Sequence, residues 1–327
     1  YGLGNTDPVV TDANLVLGRI NPHYVLGGRL KIDAELSRQA VEEKIARPMG
    51  LTKEEAAQGI VRVVNSNMAR AIRVITVEKG YNPSDFILVA YGGAGPLHAA
   101  QLAQEMGIRT VLIPPAPGAL CALGLLTADI KKSYVRTALL PYDGVTPEIL
   151  NEILEDLMAQ GGQWLDSERV SQDRRQFHNV AEMRYVGQNY ELQVELPAGK
   201  LTQQDLRQMR EDFFRAHEMN YGYYNPDAPI QFVNFRSEAI GIVSKPKLAE
   251  VEPMRGPLEE AVLSRREVYF QETGMVECPV YDRTKLGMTD RIDGPCIVEQ
   301  MDSTTVIPPD VWFRVDRHGN LILNTFS

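Results

Sequence analysis

LVAYGGAGPLHAAQLA, residues 88–103, runs from an apolar stretch through Gly92, Gly93, Ala94 and Gly95 into a helical pattern that Pro96 opens. Proline suits the first helical turn, where its missing N–H has no intrahelical partner to lose. Before the turn, residues 86–91 read as a strand. After it, residues 96–106 read as a helix and Thr110–Ile113 as a second strand. Strand, helix and strand with joins this short form a βαβ unit and predict a parallel sheet.

Such a turn can serve chemistry. N–H groups at a helix start carry partial positive charge and attract phosphate. Glycine, lacking Cβ, lets a flat ligand approach the main chain. Two common forms are excluded by the residues present. A Walker A loop needs a lysine after its last glycine, and none follows here. A Rossmann fingerprint needs a third glycine where His98 stands, and an acidic residue where Pro114 and Pro115 stand. The residues alone leave two readings open: a loop that holds an anion or nucleotide ring, or a structural strand-to-helix turn.

The chain has 327 residues, enough for two domains at about 150 residues each. Its net charge of −9, with both signs mixed along the sequence, argues against a nucleic-acid surface or a basic membrane anchor. The most apolar stretch, residues 119–128, falls short of the roughly 20 residues a spanning helix needs. No secretory signal pattern stands at the start. Cys121, Cys278 and Cys296 show neither a C-x-x-C pair nor zinc spacing, so the chain is expected to hold no metal. They are expected to be reduced, mostly buried thiols of a cytoplasmic protein. The first residue is Tyr1, which predicts a processed chain or a piece of a longer one.

Further elements follow from caps and periodicity. A short helix is expected near residues 12–17, capped by Thr11 or Asp12. Thr52 and Glu55 form a capping box opening a long helix, with apolar positions at 57, 60, 61, 64, 68, 71, 72 and 75 and Gly80 as its C-cap. Asn65 and Asn67 lie at its centre beside the apolar stripe; each needs a partner, either another helix or a bound ligand. After a rigid loop at 114–118 comes a small-residue helix at 119–125. Beyond residue 140 the pattern changes to a helix at 146–160, a hairpin at 182–185 and 190–195, and a helix at 202–217 capped by Thr202. Short strand-like runs follow from residue 230. The expected division is residues 1–140 and 141–327, α/β then α+β.

At this point the sequence resembles a known family. Residues 86–98 are similar to the hydantoinase A / 5-oxoprolinase family, which includes the nucleotide-binding subunits of acetone and acetophenone carboxylases. The resemblance extends over Val9–Gly18, Leu26-Gly-Gly-Arg29, Asn67–Arg73 and residues 114–126. It continues through Arg184-Tyr-Val-Gly-Gln188, Tyr221-Gly-Tyr-Tyr224, Pro279–Arg283 and Gly294–Gln300. It implies part of an actin/Hsp70/sugar-kinase-like ATPase lobe followed by a strand-rich C-terminal domain, with Gly92, Gly93, Ala94 and Gly95 as the adenosine turn. Asp12 and Asn14, in a Thr-Asp-Ala-Asn motif, and Asn67 would face the nucleotide; helix capping is the other reading of Asp12 and Asn14.

The resemblance also implies what is to be found elsewhere. The family's two Asp- and Gly-rich phosphate loops, which grip ATP and Mg²⁺, are absent from this sequence and belong upstream of the position of Tyr1. The implied partners are that upstream half and a hydantoinase B-like subunit, which can hold a metal. This chain alone is expected to be inactive. The implied reaction is ATP-dependent opening of a cyclic amide, with ketone carboxylation and a non-catalytic scaffold as alternatives. No catalytic residue is assigned. His98 reads as a helix-surface or cleft residue, Arg184 and Gln188 as hairpin or binding residues, and Glu299 and Asp302 as surface carboxylates or an acid/base pair.

Overall fold

The structure, a computed structural model, describes residues 4–247 and 249–326. The chain begins with α1 (Val10–Val16), α2 (Ala34–Val41), α3 (Lys53–Ile75), β1 (Leu88–Val89), α4 (Gly95–Met106), β2 (Thr110–Ile113) and α5 (Leu120–Thr127). It continues with β3 (Ile130–Pro141), α6 (Pro147–Ser167), β4 (Arg175–Tyr185), β5 (Leu192–Glu195), α7 (Gln203–Tyr221) and β6 (Ile230–Gly241). Last come β7 (Val262–Phe270), β8 (Gly274–Asp282), β9 (Thr289–Asp293), β10 (Cys296–Glu299), β11 (Thr304–Ile307), β12 (Trp312–Val315) and β13 (Leu321–Asn324).

One compact unit joins the residues up to Leu125 with those from Lys247 onward; the other is Leu126–Pro246. These units are drawn differently from the division expected at residue 140. The reason lies in β2. Its one edge pairs in parallel with β1, Leu88 opposite Val111. Its other edge is filled from the far end of the chain by β13, antiparallel, with Leu321 opposite Ile113. The expected parallel sheet is therefore a mixed one of order β1-β2-β13-β12-β9, with a single parallel pair. Apolar side chains hold it: Ala99, Ala100 and Ala103 of α4 pack with Val111, Ile113, Phe313 and Leu323.

A second sheet in this unit has the order β11-β10-β8-β7. Its buried Val268, Phe270, Val280 and Ile297 pack against Leu97, in the first turn of α4. Helix α4 thus touches both hydrophobic clusters, which fixes the start of the helix and the Gly turn before it.

The capping box at α3 forms as expected: Thr52 Oγ1 accepts from the Glu55 N–H at 3.1 Å, and Glu55 accepts from the Thr52 N–H at 2.8 Å. The helix ends at Ile75, earlier than Gly80. Thr76 Oγ1 donates to the Ile72 carbonyl at 2.7 Å, competing with the helical ladder, and a single tight turn follows before Gly80 at φ +82°. In α1 the cap is also displaced. Val9 is the cap position, and Asp12 reaches back to accept its N–H at 2.8 Å.

The second unit is an antiparallel sheet of order β3-β6-β4-β5, covered by α6 and α7. Leu150, Leu157, Phe213, Phe232 and Phe235 form its core. Gly161 lets α6 lie close to the sheet: a Cβ there would stand 2.7 Å from the Ala239 side chain and 2.9 Å from Phe177. The expected hairpin is β4 with β5, and Thr202 caps α7. Among the described residues no helix is long and apolar enough to cross a membrane. Cys278 and Cys296 are buried, but Cys121 is exposed, because α5 buries none of its side chains.

Candidate functional site

The Gly turn is held through two other loops. Gly92, at φ +80°, donates its N–H to the Pro117 carbonyl at 2.7 Å. Gly118 donates its N–H to Asp302 Oδ2 at 2.8 Å. Gln300 Nε2 bridges the Pro115 carbonyl, at 2.9 Å, and Asp302 Oδ1. The turn at 300–303 is thereby locked to the proline loop, and the proline loop to the Gly turn. Two glycines leave room for this. A Cβ on Gly118 would stand 2.7 Å from Asp302 Oδ2, and one on Gly93 would stand 3.4 Å from the Asp302 carbonyl oxygen.

A buried arginine fixes the exit of β2 from the other side. Arg283 Nη2 donates to the carbonyls of Ile113, Pro114 and Gly319 at 3.2, 3.2 and 2.7 Å. Burial pushes its pKa down to about 10, with Asp302 and Asp316 opposing the fall.

Beside the turn lies a cavity of about 310 Å³, within the size range of small-molecule pockets. Gly93, Ala94 and Leu97 line it on one side and residues 299–304 on another. The rest is mostly apolar: Ile20, Tyr24, Val25, Leu26, Leu30 and Ile32. Leu26 sits at φ +51°, a strained conformation for leucine, in the loop carrying Gly27 and Gly28. No Lys, Arg or His is among the lining residues; the charged ones are Glu299 and Asp302. Glu299 is buried and paired with Arg266 at 2.8 Å, and Asp302 is engaged as described. Neither is free for acid/base work, and Glu299 is not the surface carboxylate its sequence position suggested. Ala94 is the cap residue of α4 and makes no side-chain cap bond.

Of the sequence-derived candidates, Gly93 and Ala94 line this cavity, while Gly92 and Gly95 shape the turn around it. Asp12, Asn14 and Asn67 are not among its lining residues. Asp12 accepts from the Val9 N–H and, at 2.6 Å, from Ser37 Oγ. Asn14 is buried and donates to the Val10 carbonyl at 3.0 Å. Asn67 is exposed on α3. Its neighbour Asn65 is buried, and its partners are on another helix: Oδ1 meets His98 Nδ1 at 2.9 Å and Nδ2 donates to Gln101 at 3.3 Å. His98 is thus a buried seam residue between α3 and α4, and burial, aided by the charge of Arg19, pushes its pKa down to about 4. Met301, Ser303 and the wall from Tyr24 to Val25 carried no chemical signal of their own; in the same turn only the acidic Asp302 did, and the Gly-Gly and Glu-Gln motifs marked the neighbourhoods.

In the second unit, two separated motifs meet at one histidine. His217 is fully buried. Its Nδ1 stands 2.6 Å from the Tyr223 carbonyl, which only accepts, so Nδ1 carries the proton. Its Nε2 then accepts from Gln188 Nε2 at 3.0 Å. Arg184 pairs with Glu191 at 2.9 Å. Both hairpin residues are thus bound within the chain.

The mixed sheet carries the glycine turn beside this cavity, and comparison with known proteins places the chain. The hydantoinase/oxoprolinase family model matches residues 1–134, and the hydantoinase/oxoprolinase C-terminal domain matches residues 145–325. The chain belongs to the hydantoinase/oxoprolinase family. It is 38 % identical to an uncharacterized protein of Methanocaldococcus jannaschii, over 98 % of this chain and 45 % of that one. It is 33 % identical to the caprolactamase alpha subunit of Pseudomonas jessenii, over 94 % of this chain and 45 % of that one. The solved nucleotide-free structure of acetone carboxylase, an enzyme of ATP-dependent acetone carboxylation, superposes with a TM-score of 0.86 at 26 % identity, covering 97 % of this chain and 46 % of that one. The chain spans about half the length of the curated relatives it matches.

Proposed function

We propose that this chain is the nucleoside-holding part of an ATP-dependent enzyme that opens a cyclic amide, acting with a hydantoinase B-like partner. The observation that carries the reading is the cavity against Gly93 and Ala94. Its apolar walls and bare main chain suit a flat ring, and its described lining offers no cationic side chain to grip phosphate. The residues present therefore fit the nucleoside end of ATP and not its phosphates or Mg²⁺. Those belong to phosphate loops of the actin/Hsp70-like lobe on the upstream half. When bound, ATP supplies the phosphoryl group that turns an amide or enol oxygen into a leaving group. The part of this chain is to hold the ring and exclude water around it, through a turn locked by Asp302, Gln300 and Arg283.

The free edge of β1 supports the upstream partner. Among the described residues its one strand neighbour is β2, and Ile87, Val89 and Tyr91 are exposed on or beside it, a pattern that natural proteins cover. Ketone carboxylation is the second reading, favoured by the likeness to acetone carboxylase. The test is nucleotide turnover by the purified assembly, with lactams or hydantoins against ketone plus bicarbonate, in wild type and Gly93→Val. Turnover with a cyclic amide, lost in the variant, supports the first reading; turnover with ketone alone selects the second; none with either sinks both.

A further inference from the structure

One wall of the cavity is bonded only to itself. Tyr24, Val25, Leu26 and Leu30 line the cavity from a single short loop. Gly27 and Gly28 donate their N–H groups to the Tyr24 and Val25 carbonyls at 3.1 Å each, and Leu30 donates to the Val25 carbonyl at 3.2 Å. The Ile32 N–H closes the base of the loop on the Pro22 carbonyl at 3.1 Å. Among the described residues, the hydrogen bonds of residues 22–31 all end within residues 21–32. The flanks are fixed: the Ile20 N–H donates to the Asn14 carbonyl at 3.3 Å, and Asp33 caps α2. The loop meets the opposite wall by contact alone. A Cβ on Gly27 would stand 3.1 Å from Met301 Cγ and 4.0 Å from Met301 Cβ. Leu26 and Met301 line the cavity yet are 53 % and 57 % exposed, so two large apolar side chains keep much of their surface in water until a ligand covers them. The left-handed backbone of Leu26 is held from inside the loop, its carbonyl accepting the Arg29 N–H at 3.4 Å. That strain travels with the loop and does not resist its movement.

We propose that residues 22–32 are a lid, a preformed flap that swings as one piece about its base at Pro22 and Ile32, admits a nucleoside ring and closes on it, with Leu26 and Met301 covering the ring. This rests on the nucleotide reading above and deepens it. A flap whose main-chain groups are paired internally opens without leaving buried donors or acceptors unpaired. Opening breaks only apolar contact, which is non-directional and is remade on closing. The position seen here, with Gly27 against Met301, is the closed one. The Gly turn stays fixed while the lid moves, because its locks run through Pro117, Gly118 and Asp302. The lid thereby sets the rates at which nucleotide enters and leaves.

The test staples the lid in the full assembly that contains this chain. Gly27→Cys with Met301→Cys places two Cβ atoms 4.0 Å apart, inside the roughly 3.5–4.5 Å span of a disulfide. Cys121→Ser is the background, because Cys121 is an exposed thiol. Rates of binding and release are followed with radiolabelled ATP and adenosine. In the background protein the oxidant changes neither rate, and the reduced double variant stays within a few-fold of it. Oxidising the empty double variant shuts the lid, so association of both probes falls with the open fraction, by about tenfold or more. Oxidising the loaded double variant slows release by a similar factor, and dithiothreitol restores both rates. Leu26→Asn tests the same lid without a staple, since asparagine tolerates the left-handed backbone. It weakens ATP and adenosine by roughly 4- to 12-fold, the worth of burying the exposed half of a leucine, through faster release. Unchanged rates after oxidation, with the disulfide verified by loss of free thiols, overturn the inference and leave the nucleotide reading standing. Unchanged release from Leu26→Asn also overturns it. Failure of the background protein to bind ATP and adenosine overturns the nucleotide reading, and this inference with it.

Discussion

Acidifying the protein from about pH 7 to about pH 5 should destabilise the first unit through one residue, His98. Burial, and then the charge of Arg19, lowers its pKa from 6.5 to about 4 in the fold. Because the folded-state pKa is the lower one, the unfolded chain takes up the proton first as pH falls. The stability of the neutral ring is fully present above about pH 6.5 and is lost progressively down to about pH 4, on the order of 3 kcal/mol in all. Between about pH 7 and about pH 5 the loss is about 2 kcal/mol. Protonation would also leave the Asn65–His98–Gln101 seam with a buried cation. Carboxylates titrate in the same range, so the comparison is with His98→Gln, which can still donate to Asn65 but cannot titrate. Trp312 lies on β12 of the first unit and Trp164 on α6 of the second. Urea unfolding followed by Trp312 fluorescence in a Trp164→Phe background therefore reports the right unit. The wild-type curve should fall about 2 kcal/mol further than the variant curve over that interval. Parallel curves would mean that His98 is as solvated folded as unfolded, contrary to its burial between α3 and α4.

Three other outcomes are expected. Arg283→Met strips the donor from three carbonyls; it should cost about 3 kcal/mol and lower the melting temperature of a unit of roughly 200 residues by about 6–12 °C. Gly118→Ala places a methyl against Asp302, so it should weaken nucleotide binding by releasing the 300–303 turn, read as a higher KM for ATP. Ile87→Lys with Val89→Lys puts two charges on the free edge of β1 and should abolish co-purification with the upstream half, while circular dichroism of this chain stays unchanged.

Local signals were legible where the chemistry is local. The Thr52–Glu55 box, the Thr202 cap, β2 and the Pro96 helix are set by neighbours a few residues away, and the structure has them all. The helix end was misplaced because β-branched Val74, Ile75 and Thr76 with the Thr76 hydroxyl compete with the ladder before Gly80 is reached. The sheet order was not legible. Nothing near Thr110 announces that Leu321–Asn324 will fill its open edge, because antiparallel pairing carries no sequence mark of its partner. The site divides the same way. Gly93 and Ala94 were visible as a motif. The opposing wall was not, because Ser303 and Met301 are brought to it by β10 and β11, strands that carry no mark of what they pack against. Glu299 looked like a surface acid because its partner Arg266 stands on another strand.

The proposed nucleotide site places the base in the cavity beside Gly93. Photolabelling of the native assembly with 8-azido-ATP, followed by peptide mapping, tests it most directly. A base lodged in that cavity puts label on residues 20–32 or 300–304 of this chain, protected by ATP and by adenosine. Label confined to other segments, or unprotected by adenosine, would contradict it.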